Sequence, residues 1–210
     1  MTQQYPELAR LASVMHRLRK ECPWDAAQTH ESLVHYLIEE TLEVVEAIEA
    51  GSDADLREEL GDLLLQVYFH AEIAAETGRF DLEQVAARIC DKLIARHPYV
   101  FTDAAVPDDL NASWERAKAI EKSRDSVLDG IPERLSALSR AKKILSRAGD
   151  HGLDVSVPEP VAEPETATEL GEAMIALVAR ARALGVDPEQ AARTAVRQLE
   201  DRVRETEAGL

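Results

Sequence analysis

Two pairs of acidic residues on consecutive predicted helices place the strongest constraint on how this chain can fold. Glu40 and Glu43 form one pair, and Glu59 and Asp62 form the other, each with i,i+3 spacing. On a helix this spacing puts both side chains on one face, with Cβ atoms about 5–6 Å apart. The short turn Gly51–Ala54 lets the two helices fold back antiparallel, so that the pairs can face each other. Four converging negative charges need cations, and oxygen-only ligands favour Mg²⁺, with Mn²⁺ as an alternative.

Composition and periodicity favour an all-α fold. Hydrophobic residues make up 45% of the 210 residues but aromatic residues only 4%, whereas strands draw on aromatic and β-branched residues. Thr29 is a predicted N-cap, and Asp81 with Gln84 is a variant of the capping box. The predicted helices cover Pro6–Lys20, Glu31–Ala50, Asp55–Thr77, the segment from Asp81 to His97, Ala112–Lys122, Glu133–Ala148, Thr168–Leu184 and Pro188–Glu207.

The net charge limits the partners that this protein can have. A formal charge of −16 repels nucleic-acid polymers and anionic membranes. It permits a small anionic substrate, because metal ions and a local basic patch can reverse the sign of the charge at a site. No stretch approaches the roughly 18 consecutive apolar residues of a membrane span, and the polar start Met1–Pro6 is not typical of a signal peptide. We therefore expect a cytoplasmic protein with no membrane partner.

The acidic pairs have a simpler interpretation as solvated surface, because the chain contains 40 acidic residues. Their position argues against that interpretation, since a charge at a helix packing face needs a partner such as a metal. By contrast, Glu46, Glu49 and Glu58 lack this placement and are interpreted as solvated. Glu40 falls among the apolar residues Leu33, Leu37 and Val44, and the predicted inward face of the next helix, which carries Glu59, is Leu56, Leu60, Leu63, Val67 and Ala71.

A row of cations on the fourth predicted helix is the second candidate element of a site. Arg88, Lys92 and Arg96 follow one another at four-residue intervals and so share one helix face. Surface cations that pair with nearby acids are the simpler alternative. Beside a carboxylate–metal site, however, such a row suits a polyphosphate tail. Trp114 lies in a polar helical segment and is the best candidate for stacking on a base, although core packing is the usual role of tryptophan.

The acidic motif has a partial copy later in the chain. The segments Glu59–Asp62 and Asp81–Gln84 correspond to Glu169–Glu172 and Asp187–Gln190. The copy has no counterpart of the helix that carries Glu40, because a proline-containing segment occupies that place. The copy is therefore expected to pack but not to catalyse.

The cations are also missing from the copy, since Arg88 and Lys92 align with Thr194 and Gln198. We predict a catalytic module over residues 1–125 and a degenerate second module over 126–210. A proline-rich linker at about 154–167 lies within the second module.

A long ordered set of motifs runs through most of the chain. Its segments are Cys22–Asp25, Gln28–His30, Leu37–Thr41, Glu43–Val44, Glu59–Leu64, Gly78–Asp81, Lys92–Leu93, Arg96–Phe101, Trp114–Lys118 and Leu128–Pro132. Taken in order, these motifs closely resemble those of the MazG nucleoside triphosphate pyrophosphohydrolases. The likeness extends over roughly Tyr5 to Leu153 and is weaker beyond. A long ordered set of this kind is specific, whereas a lone pair of glutamates would not be.

The resemblance implies an all-α fold with a four-helix arrangement that is usually completed by dimerisation, with further helices after it. It implies Mg²⁺-dependent hydrolysis of nucleoside or deoxynucleoside triphosphates to the monophosphate and pyrophosphate. By the resemblance, Glu40, Glu43, Glu59 and Asp62 hold the metal, Arg88 and Lys92 grip phosphates, and Trp114 contacts the nucleotide. Arg96 extends the cationic row. The second half departs from the longer family members, which carry two complete modules.

Glu39 is the candidate general base, because it lies one helical turn before Glu43 and can orient or deprotonate the attacking water. A solvated residue is the competing interpretation. The rival function is a catalytically weak helical protein that binds nucleotides and acts through interaction or regulation. A ferritin-like oxidase is a weaker option, because it needs Glu-x-x-His and Glu40 is followed three residues later by Glu43.

Overall fold

The computed structural model describes residues 5–110, 113–114, 117–118, 126–157, 159 and 163–208. Within these residues the chain forms helices and no strands, which confirms the predicted all-α fold. None of the helices described is long and apolar enough to span a membrane. The helices are α1 (Pro6–Glu21), α2 (Pro23–Ala27), α3 (Val34–Ala50), α4 (Asp53–Glu76), α5 (Leu82–Arg96), α6 (Pro98–Phe101), α7 (Ala137–Asp150), α8 (Ala167–Ala183) and α9 (Pro188–Ala208).

The chain divides into two compact units, Met1–Ala105 and Val106–Leu210. The predicted module boundary at residues 125 and 126 lies at the edge of a segment outside the described residues. The same holds for most of the predicted helix Ala112–Lys122, of which residues 113–114 and 117–118 are described and helical. The module boundary therefore stays a prediction.

The first unit is built around α4, which packs against α1, α3 and α5, while α2 packs on α1. Its core contains Met15 from α1, Leu33 from the turn before α3, and Tyr68, Phe69 and Ile73 from α4. The Tyr68 hydroxyl donates a hydrogen bond of 3.1 Å to the Leu8 carbonyl oxygen, which ties α1 to α4. This packing fixes α3 beside α4, the two helices that carry the acidic pairs.

Two capping boxes set the starts of α4 and α5. Asp81 and Gln84 cap α5 through reciprocal side-chain contacts with the backbone, as predicted. Ser52 and Asp55 do the same for α4, which therefore begins at Asp53, two residues before the predicted start. Each box satisfies N–H groups that a helix start leaves without an intrahelical partner.

The predicted start of α3 is wrong. Thr29 does not cap this helix, which begins at Val34 after a turn that includes residues 30–33. The Thr29 hydroxyl instead accepts a hydrogen bond from the Ser32 backbone N–H, while the Ser32 hydroxyl accepts one from the Thr29 N–H. Such local side-chain bonds compete with helix formation, so the helix starts one turn later.

The predicted inward face of α4 is also wrong in part. Ala71 is buried and Leu56 and Leu63 are half-buried, but Leu60 is 49% exposed and Val67 is 42% exposed. The core side of α4 carries Gln66, Tyr68, Phe69, Ala71, Ile73 and Ala74 instead. Helical periodicity identifies apolar positions, but it does not tell which of them pack against other helices of the same chain.

The second unit is formed by α7, α8 and α9, which pack against one another. Val178 of α8 and Ala148 of α7 lie in its interior. Asp187 accepts hydrogen bonds from the backbone N–H groups of Glu189 and Gln190, both of 3.0 Å, and so caps the start of α9. The described residues of the predicted linker, before α8 begins at Ala167, are not helical.

Candidate functional site

Three carboxylates from α3 and α4 converge in the first unit. Glu40, Glu43 and Glu59 each contribute one oxygen, and the three oxygens lie within 4.8 Å of one another. Glu40 and Glu59 are half-buried, whereas Glu43 is exposed. The convergence follows from the sequence, because the turn before Asp53 folds α4 back onto α3 and i,i+3 spacing aligns Glu40 with Glu43.

Mutual repulsion makes this cluster unfavourable without a cation. Partial burial, followed by the charges of Asp62 and Glu43, raises the pKa of Glu40. Partial burial, followed by the charges of Glu43 and Asp62, raises the pKa of Glu59. Asp62 is half-buried and contributes to this negative potential, but it is not one of the three residues whose oxygens converge.

The donor set fits a hard divalent cation. Carboxylate oxygens alone are the ligands that Mg²⁺ and Mn²⁺ prefer, and neither nitrogen nor sulfur is present in the cluster. A cation between the three oxygens would also relieve the repulsion that raises the two pKa values. Over the residues that the structure describes, this is the only cluster of three or more histidine, cysteine or acidic side chains with such geometry.

An open cleft of about 310 Å³ runs from the cluster toward the turn between α3 and α4. Glu43 and Glu59 line it, together with Asp55, which was not a predicted site residue, and Glu46, which was interpreted as solvated. Glu46 is indeed exposed, but it lies at the cleft. Residue spacing could have identified both as neighbours of the site, because Glu46 follows Glu43 by three residues and Asp55 precedes Glu59 by four. Asp55 is already engaged by its capping contacts with Ser52, so Glu46 is the more available additional ligand.

The candidate base Glu39 is exposed on α3 beside the cluster. Its charge is among the causes of the raised pKa of Glu40, which places it within electrostatic reach of that carboxylate. An exposed carboxylate at this place can accept a proton from water, but its role as the base stays a prediction.

The predicted cationic row on α5 runs from the surface inward. Arg88 is exposed, Lys92 is half-buried and Arg96 is only 5% exposed. Arg88 and Lys92 are therefore the members that a phosphate can reach in this chain, whereas Arg96 is held within the fold. Trp114 is half-buried and belongs to the second unit. The substrate-binding roles of all four residues stay predictions.

Comparisons with known proteins agree on one family. A family model described as the MazG nucleotide pyrophosphohydrolase domain matches residues 28–101, which include α3, α4 and α5. An uncharacterised 26.1 kDa protein of Streptomyces cacaoi is 44% identical, over 95% of this chain and 82% of its own length. A nucleoside triphosphate pyrophosphohydrolase/pyrophosphatase MazG of Thermotoga maritima is 41% identical, over 94% of this chain and 84% of its own.

The nucleoside triphosphate pyrophosphohydrolase of Escherichia coli is 39% identical, over 96% of this chain and 87% of its own length. These alignments extend over both units of the chain and over most of each relative. The resemblance inferred from the ordered motifs is therefore confirmed, and the chain belongs to the MazG nucleotide pyrophosphohydrolase family.

Proposed function

We propose that this protein is a Mg²⁺-dependent enzyme that hydrolyses nucleoside or deoxynucleoside triphosphates to the monophosphate and pyrophosphate. The names of its relatives from Thermotoga maritima and Escherichia coli support the reaction. The observation that carries the proposal is the convergence of Glu40, Glu43 and Glu59 beside an open cleft. Three acids that repel one another, two of them half-buried, suit a cation-bound triphosphate better than a solvated surface.

In the proposed mechanism, Glu40, Glu43 and Glu59 would hold the divalent cation, and Asp62 adds negative charge beside them. A bound cation would supply positive charge to the triphosphate and would lower the pKa of water. Glu39 takes a proton from the attacking water while the oxygen of that water forms a bond to the α-phosphorus. The bond from the α-phosphorus to the bridging oxygen breaks, and the electron pair leaves with pyrophosphate.

The cations of α5 act on the departing group. Arg88 and Lys92 donate charge-assisted hydrogen bonds to the β- and γ-phosphates, and Arg96 adds positive potential from within the fold. Trp114 stays the candidate, from the resemblance, for contact with the base. Neither Arg88 nor Lys92 touches the atom under attack. They therefore contribute to substrate binding and offset the negative charge of the leaving pyrophosphate.

A homodimer is part of the proposal. Leu42 on α3 and Leu60 and Val67 on α4 expose apolar side chains on helices that carry the site. Exposed apolar surface of this kind is typical of a protein interface. Leu60→Glu is expected to shift the protein to monomers in sedimentation velocity. The matched change Leu177→Glu, at an exposed position on α8, is expected to leave the dimer intact.

We place the enzyme in the cytoplasm, where the triphosphate pool is, and assign it the removal of unwanted nucleotides. Neither nucleic-acid polymers nor membranes are proposed as partners, because the net charge of −16 disfavours both.

The decisive experiment is pyrophosphate release with Mg²⁺ from a panel of nucleotides that includes oxidised and deaminated forms. Wild-type protein is expected to release pyrophosphate, and Glu40→Gln or Asp62→Asn is expected to abolish release with unchanged helical circular dichroism. Glu58→Gln, at an exposed acid on the same helix as Asp62, serves as the control. Nucleotide binding without any cleavage would instead support the rival function of a nucleotide-binding regulator.

A further inference from the structure

A second polar cavity lies in the unit that lacks the acidic cluster. It has a volume of about 350 Å³ and is open to solvent. Its wall is made by α7 and by Asp187 at the start of α9. Small-molecule sites have volumes of about 300–1,000 Å³, so this cavity suits a small ligand. The polar residues of its wall are Ser139, Lys142, Lys143, Ser146, Arg147, Asp150 and Asp187.

Helical spacing gathers the donors of α7 on one face. Ser139, Lys142, Lys143 and Ser146 follow one another at intervals that return to the same side of a helix within two turns. All four are half-buried, and Arg147 is only 4% exposed. Lys142 is held by Asp187, and Lys143, Ser139 and Ser146 line the same cavity wall. An ammonium group and two hydroxyls on one wall offer N–H and O–H donors that suit a ligand with several acceptor oxygens.

Hydrogen bonds hold this wall in place. The Lys142 ammonium donates to an Asp187 carboxylate oxygen at 2.5 Å, while Asp187 also accepts from two backbone N–H groups of α9. Arg147 Nη1 donates to the carbonyl oxygens of Val127 and Asp129, at 3.0 and 2.8 Å. A wall that is ordered before the ligand arrives loses less conformational entropy on binding.

The charge of the cavity is opposite to that of the chain. Lys142, Lys143 and Arg147 contribute three positive charges, and Asp150 and Asp187 contribute two negative ones. Lys142 and Asp187 pair with each other, so the charges that remain are the positive ones of Lys143 and Arg147 and the negative one of Asp150. The cavity is thus locally positive in a protein whose net charge is −16.

We propose that this cavity is a binding site for a small phosphorylated anion, whose phosphate oxygens accept hydrogen bonds from Lys143, Ser146 and Ser139. Phosphate offers several charged acceptor oxygens, which match ammonium and hydroxyl donors. The volume admits inorganic phosphate, pyrophosphate or the phosphate end of a nucleotide, but not a polynucleotide. The site uses no residue of the acidic cluster and does not depend on the proposed hydrolysis.

Pyrophosphate is the probe for the first test, which uses the full chain in EDTA so that no metal-bound substrate contributes. Isothermal titration calorimetry is expected to detect binding that Lys143→Gln weakens at least about tenfold and Ser146→Ala weakens less. Arg180→Gln, at an exposed cation of α8, removes the same charge outside the cavity and is expected to leave the affinity unchanged. Inorganic phosphate and a nucleoside monophosphate, titrated in the same way, tell whether the site takes phosphate alone or a larger molecule.

A second test needs no variant and so does not depend on folding of a mutant. Pyrophosphate is expected to slow acetylation of Lys143 by acetic anhydride in the wild-type protein, read by mass spectrometry, while exposed Lys20 reacts at an unchanged rate. Absence of binding in EDTA would overturn the proposal. So would binding that Lys143→Gln and Arg180→Gln weaken equally, since that result would indicate a general charge effect.

Discussion

The two units contain the same short motif in two different settings. In α4 the segment Glu59–Asp62 faces α3, and Glu59 joins Glu40 and Glu43 in the acidic cluster. In α8 the related segment Glu169–Glu172 has no such partner helix, because α7 is followed by residues that are not helical where they are described. The first glutamate of each motif therefore meets different groups.

The pKa values of these two glutamates move in opposite directions. Partial burial, Glu43 and Asp62 raise the pKa of Glu59. Hydrogen bonds from the backbone N–H groups of Glu165 and Thr166, at 2.9 and 3.1 Å, lower the pKa of Glu169. One glutamate needs a cation, and the other is already satisfied by its own helix start. An acidic site therefore depends on the neighbouring helix and not on the motif alone.

The largest expected effect comes from removing each first glutamate in turn. Glu59→Gln is expected to lower pyrophosphate release from a triphosphate at least about a hundredfold, because a charge that holds the cation is lost. Glu169→Gln is expected to leave turnover within about twofold of wild type and to cost some of the stability that the helix cap provides. Turnover and thermal unfolding of the two variants are measured side by side. Equal loss of turnover in both would mean that the second motif also takes part in catalysis.

The cations give the next largest effect. Arg88→Thr together with Lys92→Gln gives α5 the residues that α9 carries at the corresponding positions. Loss of two charge-assisted contacts is expected to raise KM for the triphosphate by about tenfold or more. Steady-state kinetics measure this change, and Arg180→Gln on α8, which removes one charge, tests whether a change in net charge alone raises KM. An unchanged KM would mean that the α5 cations do not bind the triphosphate.

Local sequence signals predicted those parts of the fold that local interactions determine. Asp81 and Gln84 cap α5 as their spacing indicates. The i,i+3 spacing of Glu40 and Glu43 likewise places their carboxylates near each other on α3. In both cases the contacts join residues that are three apart, so geometry within one helix is sufficient.

The failures have a different physical origin. Leu60 and Val67 follow the apolar periodicity of α4, yet they are exposed because no other helix in the described part of the first unit covers them. Thr29 has the residue type of an N-cap, but its hydroxyl bonds Ser32 in a turn. Glu46 reaches the acidic cleft only because of how α3 lies against α4. These outcomes depend on packing between elements, which residue spacing along one element does not encode.

A pair of histidines is expected to make the first unit more sensitive to mild acid than the second. Arg79 Nη2 lies 2.7 Å from His30 Nε2, and His30 Nδ1 lies 2.7 Å from His70 Nδ1. Since arginine only donates, His30 accepts at Nε2, carries its proton on Nδ1 and donates it to His70. Both rings are then neutral, and burial, followed by the charge of His30, lowers the pKa of His70.

A lowered histidine pKa means that the unfolded state binds the proton more readily. The stability from neutral His70 is therefore present above the ordinary histidine value of about 6.5 and is lost as pH falls from there toward the lowered value. In the second unit the Lys142 contact lowers the pKa of Asp187, so its contribution persists until pH falls below the ordinary aspartate value of about 3.9. Hydrogen-exchange protection factors should thus be lower at about pH 5.5 than at about pH 7.5 in α4, and unchanged between the two pH values in α9. His70→Gln is expected to remove this difference, and equal losses in both units would contradict the assignment.

The smallest expected effect concerns the glycine inside each motif. A Cβ added at Gly61 of α4 or at Gly171 of α8 meets no atom within 4 Å. Alanine in a helix interior is more favourable than glycine by about 0.5–1 kcal/mol, because the unfolded chain has less backbone freedom to lose. Gly61→Ala and Gly171→Ala are therefore expected to raise the free energy of unfolding by the same amount, measured by urea denaturation at low protein concentration. A gain at Gly171 without one at Gly61 would mean that something beyond a single chain contacts α4 beside Asp62. In that case the two motifs would differ in two ways: in the helix that packs against them and in what contacts their solvent-facing side.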